Sequence, residues 1–161
     1  MKFIYCPKCA TELVEQTLDQ TTRVACPNEG CGFVHYNNPT PVVAAIVQRG
    51  DEVILVRNVG WPETWFGLVS GFLEAKEAPE EGMLREIEEE LGVSAELQGL
   101  VGVYEFEQMN QVIIAYHVTI QGEVSIGPEL ADYKVVPISK LRPWPFGTGA
   151  AVKDWLAKVR G

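Results

Sequence analysis

The stretch GFLEAKEAPEEGMLREIEEELGV, Gly71 to Val93, limits the possible folds more than any other part of the chain. Pro79 is a favoured first-turn residue and Gly92 a helix stop, so the spacing predicts a helix from about Pro79 to Leu91. At about 100° per residue, Glu86, Glu89 and Glu90 share an arc of roughly 100°. Leu84, Ile87 and Leu91 cluster on a separate arc that should face a core. Like charges at neighbouring helical positions oppose the helix by a few tenths of a kcal/mol per pair. Such a face is either plainly solvated or collects oxygen ligands for a hard divalent cation such as Mg²⁺. On this reading Glu80, Glu81 and Glu88 are solvent charges, and Glu74 has no assigned role.

The elements around this helix read as mixed α/β. Val42–Gln48 and Val53–Arg57 are strand-like runs around the turn Arg49-Gly50-Asp51, followed by a Trp- and Gly-rich loop over 60–71. Strands are expected over Leu97–Phe106, Gln111–Ile120 and, shorter, Lys134–Ile138. Val152, Trp155, Leu156 and Val159 recur at i, i+3, i+4 and i+7, predicting an amphipathic terminal helix. Asn37-Asn38-Pro39-Thr40-Pro41 reads as a linker, which divides the chain into a segment 1–36 and a domain 37–161.

All four cysteines lie in that first segment, as Cys6-Pro7-Lys8-Cys9 and Cys26-Pro27-Asn28-Glu29-Gly30-Cys31. Four thiolates at these spacings can close a tetrahedral structural Zn²⁺ site; the bland alternative is free or redox-active thiols. The segment carries Lys2, Lys8 and Arg23 against Glu12, Glu15, Asp19 and Glu29, so it has no basic footprint. The whole chain has a net charge of −9, which disfavours non-specific binding to nucleic acid or to an anionic membrane. The longest apolar run, Val42 to Val47, is far below spanning length. With no targeting stretch and paired cysteines, a cytoplasmic protein is expected.

The acidic segment fits G-x5-E-x7-R-E-U-x-E-E-x-G-U (U apolar) at Gly71, Glu77, Arg85, Glu86, Ile87, Glu89, Glu90, Gly92 and Val93. This is the Nudix box, and the chain resembles the Nudix hydrolases, which split a nucleoside diphosphate linked to another moiety. The resemblance implies an α/β/α sandwich around a mixed sheet, preceded by a small zinc ribbon. It further implies that Glu86, Glu89 and Glu90 ligate Mg²⁺ or Mn²⁺, one of them also orienting the attacking water. Glu77 would pair with Arg85, and Gly71 and Gly92 would shape the loop and the helix end. A further acid outside the box often completes such a centre; Glu129 resembles that position, with Glu105 and Glu107 as rivals. Two family glycines are replaced, by Ser70 and Lys76, which restricts the backbone there.

A ribbon running into a Nudix domain resembles the NADH pyrophosphatases and the zinc-ribbon FAD or ADP-ribose pyrophosphatases. The implied partner is a small-molecule nucleotide, and the resemblance suggests a homodimer. Pro143-Trp144-Pro145-Phe146 resembles an NADH-enzyme motif but lies about fifty residues too late, so it is read as a structural turn with packed aromatics. Trp61, Trp65, Phe66 and Tyr104 could each stack on a base or serve in the core. His117 reads as a packed or rim residue, and His35 as a spare ligand beside the ribbon. The alternatives to a dinucleotide pyrophosphatase are a (d)NTP pyrophosphatase and a non-catalytic nucleotide sensor or partner binder.

Overall fold

Strand β4 (Thr40–Arg49) organises the larger of two units in the computed structural model, which describes residues 3–161. The first unit ends at Asn38 and the second is Pro39–Gly161. In the first, β1 (Val14–Leu18), β2 (Thr21–Ala25) and β3 (Val34–His35) form an antiparallel sheet in that order. Asp19 and Gln20 both take positive φ, the backbone that a two-residue hairpin turn requires.

In the second unit, β5 (Glu52–Asn58), β6 (Val69–Phe72), α1 (Pro79–Leu91), β7 (Ala95–Phe106), β8 (Gln111–Ile120), β9 (Leu130–Pro137) and α2 (Gly149–Arg160) follow β4. The sheet runs β7-β8-β4-β5-β9, with β6 attached to β4. β4 is parallel to β8 along nearly its whole length. Its first half pairs antiparallel with β6 (Val43↔Gly71) and its end with β5 (Val47↔Ile54). Every residue from Val42 to Val47 is buried, because both faces of β4 are covered. Val42, Ala44 and Ile46 meet Val152, Trp155 and Leu156 of α2, whereas Val43, Ala45 and Val47 meet Met83, Ile87 and Leu91 of α1. Alternation along one strand thus builds both cores of an α/β/α sandwich.

Five local expectations need correction. Met83, not Leu84, joins Ile87 and Leu91 in the core, and each is fully buried, worth roughly 1.5–3 kcal/mol apiece. The buried arc is centred nearer Glu90 than the apolar pattern suggested, so Leu84 stands at its margin. A strand, β6, occupies the end of the expected loop; with only four residues and a glycine it has no periodicity to read. β9 starts at Leu130, not Lys134, and Thr40 and Pro41 belong to β4 and not to a linker. α2 starts at Gly149, and Val159 at its far end is exposed. Among the described residues, no helix is long and apolar enough to cross a membrane.

Candidate functional site

The loop from Phe72 to Ala78 is tied to α1 by one cation. Arg85 donates from Nε to Glu77 Oε1 at 2.7 Å and from Nη2 to Glu77 Oε2 at 3.1 Å, a bidentate pair. Its Nη1 reaches Glu86 Oε1 at 2.8 Å and Glu89 Oε2 at 3.0 Å, and Nη2 also reaches the Phe72 carbonyl at 3.3 Å. The Arg85 hydrogen bonds, then the Glu74 N–H, hold the Glu77 carboxyl below its usual range. Gly82 makes this possible: a Cβ there would lie 2.7 Å from Glu77 Oε2 and 2.9 Å from Leu73 Cδ1. The motif spacing gave no sign of Gly82.

Glu80 and Glu81 are not mere solvent charges. Glu80 Oε1 accepts the Tyr116 hydroxyl at 3.0 Å, and Glu81 Oε2 accepts the Ala78 N–H at 3.3 Å, satisfying an orphan donor at the helix start. Gly92 closes the helix in the left-handed conformation (φ 63°). Lys76 also has a left-handed backbone (φ 71°), where a side chain costs roughly 1–2 kcal/mol. Glycine there gives part of the gain back through the unfolded chain. Lys76→Gly is therefore expected to stabilise the protein by about 0.5–1 kcal/mol, read as a higher urea midpoint at unchanged slope.

Glu86 and Glu90 are 9% and 4% exposed, while Glu89 on the next position of the arc is exposed. The carboxylates therefore do not form a face separate from the core; two of them lie at its edge. Gly71 of β6 accommodates Glu86, since a Cβ there would fall 2.0–2.2 Å from the Glu86 carboxyl atoms. The 125–127 loop docks on the end of α1: Ser125 N–H donates to Leu91 O at 2.9 Å and Gly127 N–H to Glu90 O at 2.8 Å. Gly127 has no room for a side chain, because a Cβ would sit 2.3 Å from Glu89 O. This docking places Glu129 near enough for its charge to act on Glu86 and Glu90. Glu105 and Glu107 line a different cleft, with Lys153.

Burial, then the charges of Glu86, Glu129 and Glu89, push Glu90 up to about 8. Burial also raises Glu86, against the pull of Arg85. Glu90 Oε2 is buried with no hydrogen-bond partner. Between about pH 4.5 and 8 these two carboxyls therefore bind more protons in the folded chain than in the unfolded one, whereas His117, pushed down by burial, opposes them at the acid end of the window. Metal-free protein should lose thermal stability across that window and level off above it, and Mg²⁺ should flatten the slope. The opposite contribution of Glu77 falls at more acid pH. Melting curves from pH 5 to 9, with and without Mg²⁺, measure this.

In the first unit, the Sγ atoms of Cys6, Cys9, Cys26 and Cys31 all lie within 4.8 Å of one another. The pairs Cys6–Cys31 and Cys9–Cys26 are 3.5 Å apart, far from a disulfide and near the roughly 3.8 Å edge of a tetrahedral Zn–S₄ site. Hydrogen bonding to Thr11, through its side chain and then its backbone, holds Cys9 down at about 6, whereas burial pushes Cys26 up, so without a cation the thiols do not ionise together. Among the described residues, only these four gather their ligand atoms so tightly. The glutamates are spaced more widely, with Arg85 between Glu86 and Glu89. His35 lies edge-on to Phe3 and is outside the cluster.

The other face of β6 borders a cleft of about 600 Å³. Trp61, Trp65, Phe66, Phe106, Trp144 and Phe146 supply its aromatic lining. The late PWPF segment is irregular and leads into a turn closed by Gly149 N–H donating to Phe146 O, and its two aromatics face this cleft. Trp61 packs over Gly67, and Lys134 lies 4.3 Å above the Phe66 ring. Tyr104 is elsewhere, donating its hydroxyl to Asp154 at 3.0 Å. His117 packs on Trp155, bonds Gln48 Oε1 at 2.7 Å and is pushed down by burial.

Known proteins are similar to this chain in sequence and fold. The NUDIX domain family model matches residues 38–156. The NAD-capped RNA hydrolase NudC of Pseudomonas aeruginosa is 29% identical over 143 residues, 88% of this chain and 50% of that protein. The chain thus spans about half the length of that curated relative. The ADP-ribose pyrophosphatase of Methanocaldococcus jannaschii is 27% identical over 132 residues, 78% of each chain. Among solved structures, a NUDIX hydrolase from Nitrosomonas europaea superposes with a TM-score of 0.83 at 23% identity, covering 98% of this chain and 93% of that one. That likeness establishes the fold.

Proposed function

The chain belongs to the NUDIX domain family, and from that premise we propose that it hydrolyses the pyrophosphate bond of a dinucleotide-type substrate such as ADP-ribose or NADH. The observation that carries this is the buried, unpartnered Glu90 Oε2 beside Glu86, with Glu129 at hand. An oxygen-only donor set of this charge fits Mg²⁺ or Mn²⁺. Glu86 and Glu90 would hold the cation, with Glu89 and Glu129 completing the donor set. When bound, it supplies positive charge to the pyrophosphate and acidifies a water. Glu77 fixes Arg85, and Arg85 in turn orients Glu86 and Glu89. Gly71 leaves the Glu86 carboxylate its place against β6. The ribbon cysteines would hold Zn²⁺ as a closed structural site.

Full placement of these acids favours an enzyme over a nucleotide sensor, because a sensor has no need of so costly a cluster. The name of the Pseudomonas relative adds NAD-capped RNA to the candidates, against the expectation that no nucleic acid is involved. Incubation with Mg²⁺ and ADP-ribose, NADH, FAD, NAD-capped RNA and dNTPs should show turnover of a dinucleotide-type substrate above dNTPs. Folded, zinc-loaded protein that turns over none of them would sink the proposal.

A further inference from the structure

The cleft behind β6 is unlike the rest of this acidic surface. No charged side chain lines it, although the chain carries a net charge of −9. Its large apolar groups are left in the open: Trp65 is 54% exposed, Phe146 is 52% exposed, and Trp61 is exposed beside them. The Trp65 and Phe146 rings lie 6.0 Å apart at 46°, a V-shaped platform and not a closed stack. Exposed aromatic surface gathered in one concavity marks a binding site more often than a defect of packing. A phosphate would lose its hydration there with no cation to replace it. A flat, uncharged heteroaromatic ring would cover the two faces and find hydrogen bonds at its edge from Thr64, Ser70 and Gln111, which also line the cleft.

The cleft and the carboxylate site lie on opposite faces of one short strand, β6. Ser70 lines the cleft, while the next residue, Gly71, abuts Glu86. Neighbouring strand residues face opposite ways with Cα atoms 3.80 Å apart, so a four-residue strand separates the two places. Resting on the pyrophosphatase reading above, we propose that this cleft takes the planar base of the substrate, stacked on Trp65 and Phe146. The pyrophosphate of the same molecule then rounds β6 to the glutamates. Recognition by stacking tolerates different rings, with Gln111 placed to read an edge; a phosphate chain without a base has no hold.

Isothermal titration of the zinc-loaded protein without added Mg²⁺, using ligands that carry no pyrophosphate to cleave, separates this from catalysis. Adenosine should bind and ribose, which lacks the ring, should not. Trp65→Leu and Phe146→Leu should each weaken adenosine roughly tenfold, the usual loss for one stacking partner. Phe146→Tyr should keep wild-type affinity. Both side chains are exposed, so melting temperatures should hardly move. With ADP-ribose and Mg²⁺, the leucine variants should raise KM far more than they lower kcat. Unchanged adenosine binding in both leucine variants, or ribose binding as tightly as adenosine, would overturn the proposal. Stacking lost in the variants without turnover of any substrate would instead retain the cleft and reject the pyrophosphatase.

Discussion

Glu90→Gln is expected to lower Mg²⁺-dependent turnover on the order of 10³-fold while leaving the metal-free protein at least as stable as wild type at pH 8. The two effects have one origin. Glu90 is buried beside Glu86 and under the influence of Glu129 and Glu89, with one oxygen unpartnered. That carboxylate is a burden to folding until a cation neutralises it. An amide of the same shape removes the charge and offers a donor to the neighbouring carboxylates. It cannot supply the anionic ligand, so the affinity for Mg²⁺ should fall with the rate. The decline in metal-free stability between pH 4.5 and 8 should shrink in the variant, because burial raises the Glu90 carboxyl across that window. Rate assays across Mg²⁺ concentrations, paired with melts at pH 5 and 8, test both. A variant that keeps its rate, or that melts well below wild type at pH 8, would show that Glu90 is an ordinary buried partner.

Much of the candidate site's placement is legible in the sequence, and the reasons are local. A 13-residue helix bounded by Pro79 and Gly92 has strong punctuation at both ends, and the glutamates follow at fixed angles. The apolar run Val42–Val47 reads as a buried strand whichever sheet holds it. What could not be read is what depends on partners distant in sequence. Glu80 looks like a surface charge until Tyr116 of β8 lies against it. The aromatics of PWPF look like turn packing until Trp61 and Trp65 stand across a cleft from them. Met83 and Leu84 are both apolar, and only the sheet's position on α1 decides which is buried. The nearness of Glu129 to α1 depends on the 125–127 loop docking on the helix end, a contact between residues distant in sequence. Gly82 and Gly127 carry no spacing signal, since each is required by one close approach: a side chain for Gly82, a carbonyl for Gly127.

Gly71 allows the sharpest separation of site geometry from stability. Its backbone is that of an ordinary strand residue, so conformational freedom is not what requires glycine. Space is: an added Cβ would lie 2.0 Å from Glu86 Cδ, and the buried carboxylate must move. Gly71→Ala should therefore weaken Mg²⁺ roughly 10- to 100-fold, as loss of a supporting contact does. It should also cost on the order of 10²-fold in rate through misplacement of about 1 Å. Overpacking should destabilise the protein by about 1–3 kcal/mol. The cost is not inherent to alanine, because it depends on the side chain opposite. In a Glu86→Ala background the three atoms nearest the methyl are gone, so Gly71→Ala should there cost far less stability. The pair should thus be strongly non-additive, with a coupling of about 1–3 kcal/mol. A Glu89→Ala background, altering an exposed member of the same cluster, should leave the Gly71→Ala cost intact. Additive behaviour with Glu86→Ala would mean that β6, and not the carboxylate, sets the requirement for glycine.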